Sequence, residues 1–298
     1  MKALVVINAY VRNKSQLYQA ERIASELGAL GVDVRIEKNF DLARIFDGKV
    51  LSTEYGFCIY LDKDRVAARL LERGGLRLFN SAEAMETCDD KMLTAISLAN
   101  AGINLPDCVY APLCYHAESD INESFLRSTA VRLGLPLVAK INYGSLGSGV
   151  TLINSLDELF AYEKKNLVLP HFYQKYINCG GFADRNGSED VRVIVVGGRY
   201  LCAMKRKNQR DFRSNIELGG RGEPFSPDGE LIALCERVAG ILKLDYCGVD
   251  ILRDKTGKYY VCEVNSNAFF TAMAGVCNVN VARAYAQYAL NAAKTARK

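Results

Sequence analysis

Two strand-like runs near the carboxyl end of the chain carry side chains that could bind a metal ion. GVDIL contains Asp250, VCEVNSN contains Glu263 and Asn265, and the turn RDKTGKYY separates the two runs. Alternation along a strand puts Glu263 and Asn265 on one face, and a hairpin brings Asp250 opposite or diagonal to Glu263. Such oxygens suit Mg²⁺ or Mn²⁺. The alternative is a solvent-facing acidic pair, but the apolar neighbours predict burial, which is costly for unpaired charges and favours metal binding.

A glycine-rich stretch, KINYGSLGSGV at 140–150, lies between the strand-like runs LPLVAKIN and VTLIN. Its lysine precedes the glycines, whereas a Walker loop has its lysine after them and a Rossmann loop leads from a strand into a helix. The flanking runs predict a hairpin instead. Its backbone N–H groups and hydroxyls could contact a polyphosphate, with Lys140 supplying positive charge. Taken alone, the stretch favours a flexible turn.

A third segment, residues 203–222, is crowded with cations. They are Lys205, Arg206, Lys207, Arg210, Arg213 and Arg221. A solvated basic loop is the usual meaning of such a run. However, Phe212 and Ile216 would anchor the segment, and Arg213 and Asn215 could point together from an extended chain. Because arginine suits phosphates and carboxylates, the segment predicts the positive wall of an anion site.

Other catalytic schemes have little support in the sequence. The two histidines, His116 and His171, stand in no GxSxG, HExxH or cysteine–histidine setting, so we expect structural roles for both. No cysteine has a neighbouring feature that marks it as a nucleophile.

Composition sets broad limits on the class of protein. The chain has 298 residues, 49% of them hydrophobic, and a formal net charge of +4, which does not favour nucleic-acid binding. Its ten cysteines are spread singly and mostly within apolar runs, as expected of reduced thiols in the cytoplasm. No apolar run approaches the length of a signal peptide or membrane span, so we expect no membrane association.

The elements that must position these residues fall into two regions. Strands at 3–8, 32–37, 57–61 and 76–80 alternate with helices at 15–30 and 64–73, which predicts a small parallel sheet covered by helices. From residue 89 onward, helices at 90–102, 121–133, 230–242 and from about 279 accompany hairpin-like strands, which predicts an antiparallel-rich α+β region. The polar stretch 178–189 predicts a long surface loop.

Taken in order along the chain, eight motifs resemble the ATP-grasp superfamily, most closely its RimK-type branch, which includes α-L-glutamate ligases. They are Asp90-Lys91, LPLVAK, GSLGSGV, QKYI at 174–177, EDVRVIVVGG at 189–198, DFRSN at 211–215, GVDIL and EVNSN. The resemblance covers about residues 89–285. It implies an α/β N-terminal (pre-ATP-grasp) domain at 1–88, followed by an α+β ATP-grasp domain with antiparallel sheets at 89–298. The nucleotide would lie between two subdomains of the second domain.

The resemblance also implies roles for single residues. Lys91 and Lys140 would contact ATP phosphates, with the glycine-rich lid at 144–149 closing over them. The run 174–177 would lie along the adenine and Asp190 near the ribose. The full set of implied ATP-binding residues is Lys91, Lys140, Gly144, Ser145, Gly147, Ser148, Gly149, Gln174, Lys175, Tyr176, Ile177, Asp190, Arg213, Ser214 and Asn215. Of these, Arg213 and Asn215 would act in catalysis, beside the transferring phosphate.

The implied cofactors are ATP and two Mg²⁺ or Mn²⁺ ions, held by Asp250, Glu263 and Asn265. The implied reaction joins a carboxylate to the amine of an amino acid such as glutamate through an acylphosphate, and the acceptor is a peptide, a protein tail or a small carboxylate. Two alternatives stay open, an ATP-grasp kinase or phosphotransferase and a non-catalytic nucleotide-binding module. The resemblance also makes a dimer or tetramer an expectation. Where many RimK-type members have a proline- and glycine-containing turn, this chain has Phe269 and Phe270.

Overall fold

The computed structural model describes residues 1–43, 54–145, 147–179 and 187–295. Within these ranges the strands are β1 (Lys2–Ile7), β2 (Asp33–Lys38), β3 (Phe57–Tyr60), β4 (Leu78–Phe79), β5 (Cys108–Tyr110), β6 (Leu137–Ile141), β7 (Val150–Ile153), β8 (His171–Lys175), β9 (Ser188–Val196), β10 (Arg199–Asn208), β11 (Arg221–Pro224), β12 (Tyr246–Arg253) and β13 (Tyr259–Asn265). The helices are α1 (Lys14–Ala29), α2 (Asn39–Ala43), α3 (Arg65–Arg73), α4 (Ala82–Asp89), α5 (Lys91–Leu98), α6 (Glu123–Leu133), α7 (Leu156–Asn166), α8 (Gly229–Ile241), α9 (Thr271–Cys277) and α10 (Val281–Thr295).

The first sheet is parallel, with strand order β2-β1-β3-β4. Its central strands are continuous apolar runs, and every residue of FCIY in β3 is buried. This is the pattern expected of a parallel sheet covered on both faces by helices. The first of those helices, α1, begins at Asn13, whose side chain accepts a hydrogen bond from the Ser15 N–H. The prediction of a small parallel sheet is confirmed.

The second sheet has five strands in the order β11-β10-β9-β12-β13. Its neighbouring strands are antiparallel. Asp250 pairs directly with Glu263, and a register shift follows between Asp250 and Ile251. The hairpin that the sequence predicted between GVDIL and VCEVNSN is therefore confirmed, in the register that puts both carboxylates on one face. Helix α8 covers the opposite face with its buried residues Leu231, Cys235 and Val238.

The third sheet is also antiparallel, with the order β5-β8-β6-β7. Lys140 in β6 pairs with Val150 in β7, so the glycine-rich stretch connects two strands of a hairpin, as predicted. Helices α6 and α7 pack on this sheet through a core that includes Leu126, Leu159 and Tyr173.

Several elements were missed by the sequence analysis, and one prediction was wrong. No element was assigned to α2, α4, β5, α7, β11 or α9, most of which are short; β11, with the sequence RGEP, has no apolar alternation. The loop predicted at 178–189 ends earlier than expected, because Ser188 and Glu189 already belong to β9. Residues 180–186 of that loop lie outside the described residues.

A continuous hydrophobic core joins the parallel sheet to the rest of the chain. It combines Val5 and Phe57 with Tyr246, Phe270 and Tyr285 from the second half. A polar contact reinforces the junction: the Asn80 side-chain amide donates to the backbone carbonyls of Tyr246, at 2.8 Å, and Ser266, at 2.7 Å. The boundary at residues 88 and 89 stays a prediction.

The third sheet contains a buried polar cluster whose stability we expect to depend on pH. The His171 ring donates through Nδ1 to the Leu169 carbonyl at 2.7 Å and lies 2.8 Å from a Glu163 oxygen through Nε2. Burial opposes charge on the imidazole, but the hydrogen bonds to Glu163 and Leu169 outweigh it and raise the pKa of His171. The structural role that the sequence predicted for this residue agrees with its burial.

Replacing His171 with glutamine is expected to lower the free energy of unfolding by about 1–3 kcal/mol at pH 6. Because the pKa of His171 is raised in the folded state, its stabilising charge is fully present below the unfolded value of about 6.5 and is lost as the pH rises through the folded value. Thermal unfolding at pH 6, 7, 8 and 9 measures this, with His116→Gln as an exposed control. A stability difference that stays constant over the whole range would contradict the charged pair.

Candidate active site

A cavity of about 250 Å³ lies between the two antiparallel sheets, where the predicted site residues converge. Of the eighteen residues that the resemblance assigned to ATP or metal binding, fifteen line it: Lys91, Lys140, Gly144, Gly147, Ser148, Gln174, Lys175, Tyr176, Ile177, Asp190, Arg213, Ser214, Asn215, Asp250 and Glu263. They come from segments spread over more than 170 positions of sequence, from residue 91 to residue 263. The fold therefore assembles the candidate site that the sequence could only propose as separate motifs.

Three of the predicted residues lie elsewhere. Ser145 and Asn265 line a second cavity of about 380 Å³ on the other side of Lys91 and Glu263, two residues that line both cavities. Gly149 lines neither cavity. Its φ of +69° is one that side chains rarely adopt, and a Cβ there would lie 1.9 Å from Ile141 Cγ1. In this structure Gly149 lets the hairpin pack closely against Ile141.

Two buried lysines supply positive charge to the first cavity. Lys140 is only 7% exposed, and the one hydrogen bond of its ammonium among the described residues reaches Cys262 Sγ at 3.7 Å. The Lys91 ammonium donates to the Gly144 carbonyl at 2.9 Å and lies 3.6 Å from Glu263 Oε1. Burial lowers the pKa of Lys91. Lys140 has no carboxylate partner in the part of the chain that the structure describes, and such a buried ammonium is costly unless an anion binds beside it.

The acidic face of the second sheet is organised by two arginines. Asp250 is 3% exposed and accepts hydrogen bonds from Arg192 Nε at 2.7 Å and Nη2 at 2.6 Å; Arg206 Nη2 lies 3.1 Å away. Burial by itself would raise the pKa of Asp250, but both arginines hold it below its usual range. Arg192 was missed by the sequence analysis. The register of the sheet could have identified this residue, because Arg192 in β9 pairs directly with Asp250 in β12.

The donor set at this face fits a hard divalent cation. Glu263 accepts no hydrogen bond from a described residue, and its closest cation is Lys91. Asn265 Nδ2 lies 3.4 Å from Asp250 Oδ2, which brings its amide beside the carboxylates. In the part of the chain that the structure describes, no three His, Cys, Asp or Glu side chains converge as a metal site. The candidate site is therefore two carboxylates completed by an amide, and all three groups are oxygen donors of the kind that Mg²⁺ prefers.

The glycine-rich loop is held over the cavity by three cations. Lys91 donates to the Gly144 carbonyl, Lys63 donates to Ser145 Oγ at 3.0 Å, and Arg213 Nη1 donates to the Gly147 carbonyl at 2.8 Å. Gly147 has φ of +78°, and a Cβ there would come within 3.0 Å of Leu218 Cδ1. A residue other than glycine would therefore strain the loop at this point. Leu146 lies outside the described residues.

The basic segment forms less of a positive wall than the sequence predicted. Only Arg206 and Arg213 of its six cations line the cavity, and both are paired. Arg206 donates to both oxygens of Asp190, at 2.7 and 2.5 Å, and Arg213 pairs with Asp211 at 2.7 Å. Carboxylates adjacent in the fold neutralise several of the six cations, so the segment contributes less unpaired positive charge to the cavity than its sequence indicated.

Two further cavity-lining residues were missed by the sequence analysis, Cys262 and Ser188. Cys262 lies at the register shift between β12 and β13 and contacts Lys140, whereas strict alternation would put it on the opposite face from Glu263. The Ser188 hydroxyl is buried and has no hydrogen-bond partner among the described residues. Such a group is expected to have a partner, so it is available to a ligand in the cavity.

Two antiparallel sheets that enclose buried lysines on one side and an acid–acid–amide set on the other define the class of ATP-grasp proteins. The chain belongs to the RimK-like ATP-grasp family, whose model matches residues 88–289. This confirms the resemblance inferred from the motifs.

Individual relatives and solved structures agree with this family. The chain is 34% identical to beta-citrylglutamate synthase B of Homo sapiens over 235 residues, which is 76% of this chain and 56% of that protein. It is 31% identical to a probable alpha-L-glutamate ligase of Maridesulfovibrio salexigens over 221 residues, 72% of this chain and 67% of that one. The solved structure of the ATP-grasp ligase PsnB with minimal precursor, Mg and ADP is 17% identical, with a TM-score of 0.69 and 98% of each chain covered, and is similar in fold.

The chain spans 56% of the length of the human relative, so activity and substrates of the whole protein do not transfer directly. Among the described residues, the structure contains no helix with the length and apolar character needed to cross a membrane.

Proposed function

We propose that the protein is an ATP-dependent ligase that joins a carboxylate to an amine through an acylphosphate. The observation that carries this proposal is the Lys140 ammonium, which is buried, has no carboxylate partner among the described residues, and lines the same 250 Å³ cavity as Asp250 and Glu263. A polyphosphate between the two would neutralise the lysine and bring its terminal phosphate to the carboxylates. Family membership supports the same assignment.

The nucleotide occupies the first cavity in this proposal. The backbone of 174–177, where β8 ends, lies along the adenine, and Asp190 and Ser188 lie towards the ribose. Lys91 and Lys140 bind phosphates beneath the loop 144–149, which acts as the lid. Because Lys91 and Arg213 already donate to carbonyls of this loop, they tie its position to the phosphate site.

Asp250, Glu263 and Asn265 would hold magnesium, or manganese in its place, as one or two ions. When bound, the metal neutralises charge that develops on the transferring phosphate. The chain's own residues do the remaining work: Arg213 and Asn215 orient the phosphate and the attacking carboxylate, and the lid excludes water from the acylphosphate. Little proton transfer by side chains is required, which agrees with a cavity that histidine does not line.

The second cavity would receive the substrates that react with the γ-phosphate and the acylphosphate. It shares Lys91, Gly144 and Glu263 with the nucleotide cavity, so a carboxylate bound there would lie next to the transferring phosphate. The names of the relatives, a beta-citrylglutamate synthase and an alpha-L-glutamate ligase, make L-glutamate the first amine to test.

A coupled ADP-release assay with product mass spectrometry tests the proposal. L-Glutamate and the other standard amino acids would be paired with citrate, N-acetyl-L-aspartate and a glutamate-terminated peptide, with ATP and Mg²⁺. We expect ADP release that requires both members of one pair, and a product with the mass of their amide. A phosphorylated acid without an amide would indicate a phosphotransferase. ATP binding without ADP release across the panel would contradict an enzymatic function.

Replacing Lys140 with alanine is expected to weaken ATP binding about 10- to 100-fold, because one charge-assisted contact to phosphate contributes about 1.5–3 kcal/mol. The fold should persist, since the single polar contact of the ammonium with a described residue is the one to Cys262. Isothermal titration with ATP measures the change, and Lys164→Ala, an exposed lysine on α7, is the matched control. Unchanged affinity for ATP would return the 140–150 stretch to a structural turn.

A further inference from the structure

The second cavity lies at a characteristic place in the parallel sheet. The strand order β2-β1-β3-β4 makes the gap between β1 and β3 the point where successive connections leave in opposite directions. In open α/β sheets, ligands bind at the carboxyl ends of the strands beside such a gap. The loops that follow β1 and β3, at 8–13 and 61–63, line the cavity, and Glu263, Asn265 and Asn267 lie on its other wall.

The charges of this cavity single out one side chain. Four cations line it, namely Arg12, Lys63, Lys91 and Arg192. Lys63, Lys91 and Arg192 each pair with a carboxylate, at 2.5, 3.6 and 2.6 Å respectively. Arg12 forms no hydrogen bond or ion pair with any residue that the structure describes, and it is exposed at the cavity. It is therefore the lining cation whose charge is available to a ligand.

The loop that carries Arg12 is held in place by a polar network. The Ala9 N–H donates to Asn39 Oδ1 at 2.8 Å, and Asn8 Nδ2 donates to Asp62 Oδ1 at 3.1 Å. Asn267 Nδ2 donates to the Asp62 carbonyl at 3.1 Å, which ties this network to the wall that carries Glu263 and Asn265. Arg12 is thus presented from an ordered turn that is fixed relative to the acidic set.

We propose that Arg12 binds the unreacted carboxylate of the amino-acid substrate and selects for amines that carry one. The inference rests on the proposed ligase function. An amino acid that reacts through its amine keeps its carboxylate as an anion throughout, whereas the other substrate loses the charge of the carboxylate that becomes the acylphosphate. The binding site for the amino-acid substrate therefore needs a cation that is not paired with a protein carboxylate. A guanidinium group is suited to this role because it binds a carboxylate through two hydrogen bonds.

Steady-state kinetics with the full chain test the assignment, using L-glutamate and its two monoamides, L-glutamine and L-isoglutamine, as amines. In the wild type we expect one monoamide to have a higher KM than L-glutamate. Arg12→Ala is expected to raise the KM for L-glutamate at least about tenfold while leaving the KM for that monoamide and for ATP unchanged. The acid-over-amide preference should therefore disappear, and Arg12→Lys should restore part of it.

Lys14→Ala is the matched control, because Lys14 is an exposed cation two residues away that does not line the cavity, and it should keep wild-type kinetics. A preserved acid-over-amide preference in Arg12→Ala would overturn the inference, and so would a raised KM for the carboxylate substrate in place of the amine. If the wild type binds ATP but releases no ADP with any amino acid and carboxylate pair, the proposed function itself fails, and the role of Arg12 falls with it.

Discussion

Replacement of Glu263 with glutamine is expected to lower the rate of ADP release at least about 100-fold while leaving the fold intact. A metal that neutralises charge on a transferring phosphate contributes several kcal/mol to the transition state, and each 1.36 kcal/mol corresponds to a factor of ten in rate. The glutamine side chain keeps the shape of Glu263 but not its charge. The Glu263 side chain is 28% exposed and accepts no hydrogen bond from a described residue, so its replacement should disturb little in the fold besides the ion pair with Lys91.

The measurement is ADP release over a titration of Mg²⁺ from micromolar to tens of millimolar. If Glu263 is a metal ligand, the variant should also require more Mg²⁺ for half-maximal rate. Glu223→Gln is the control, because Glu223 lies on the same sheet, pairs with Lys207 at 2.7 Å and lines neither cavity. Wild-type rates and wild-type Mg²⁺ dependence in Glu263→Gln would remove this residue from the metal site.

Local sequence patterns were enough to predict the two hairpins of the site. Alternation in GVDIL and VCEVNSN predicted Asp250 opposite or diagonal to Glu263, and the structure pairs the two directly. The strands beside the glycines predicted a hairpin, in which the structure pairs Lys140 with Val150. Both hairpins connect strands that are neighbours in sequence, so a short turn largely fixes the register. The resemblance to the ATP-grasp family then predicted that the two hairpins contribute to one nucleotide site.

The long-range pairings of charge could not be predicted in the same way. Arg192 and Asp250 are 58 residues apart and meet because β9 lies between β10 and β12. The same arrangement brings Asp190 against Arg206. The sequence analysis had assigned Arg206 to the positive wall of an anion site. Arg12 was overlooked because its loop reaches the acidic face only through the packing of the parallel sheet on the second sheet.

These pairings give the acidic face two opposed demands. As the metal ligand proposed above, Asp250 would need to keep a negative charge, yet it is almost fully buried. Arg192 and Arg206 keep Asp250 ionised by lowering its pKa despite the burial. Asp190 in turn offsets part of the charge of Arg206. The four side chains therefore form one network of ion pairs, in which two arginines keep Asp250 ionised.

Removal of Arg206 tests this network of ion pairs. The Arg206→Gln variant is expected to lose about 3–5 kcal/mol of unfolding free energy at pH 7. This is the usual cost of breaking a buried ion pair by deleting one partner, since the remaining charges stay buried. Arg206 is 2% exposed and contacts both Asp190 and Asp250, so two carboxylates lose a partner together. Urea denaturation measures the loss. Arg199→Gln is the control, because the Arg199 side chain is 84% exposed and pairs with Glu236. Its unfolding free energy should stay within about 0.5 kcal/mol of wild type.

The pH dependence of the difference in unfolding free energy between wild type and Arg206→Gln identifies the cause of that difference. The folded-state pKa of Asp250 is lowered, so the stability that its pairing contributes is present above the unfolded value of about 3.9 and is lost as the pH falls through the folded value. The gap between wild type and Arg206→Gln should therefore be largest near neutral pH and should narrow below about pH 4. A gap that persists unchanged at low pH would mean that Arg206 stabilises the sheet by packing alone. In that case the charge of Asp250 would depend on Arg192, and Arg192→Gln would have to show the narrowing that Arg206→Gln lacks.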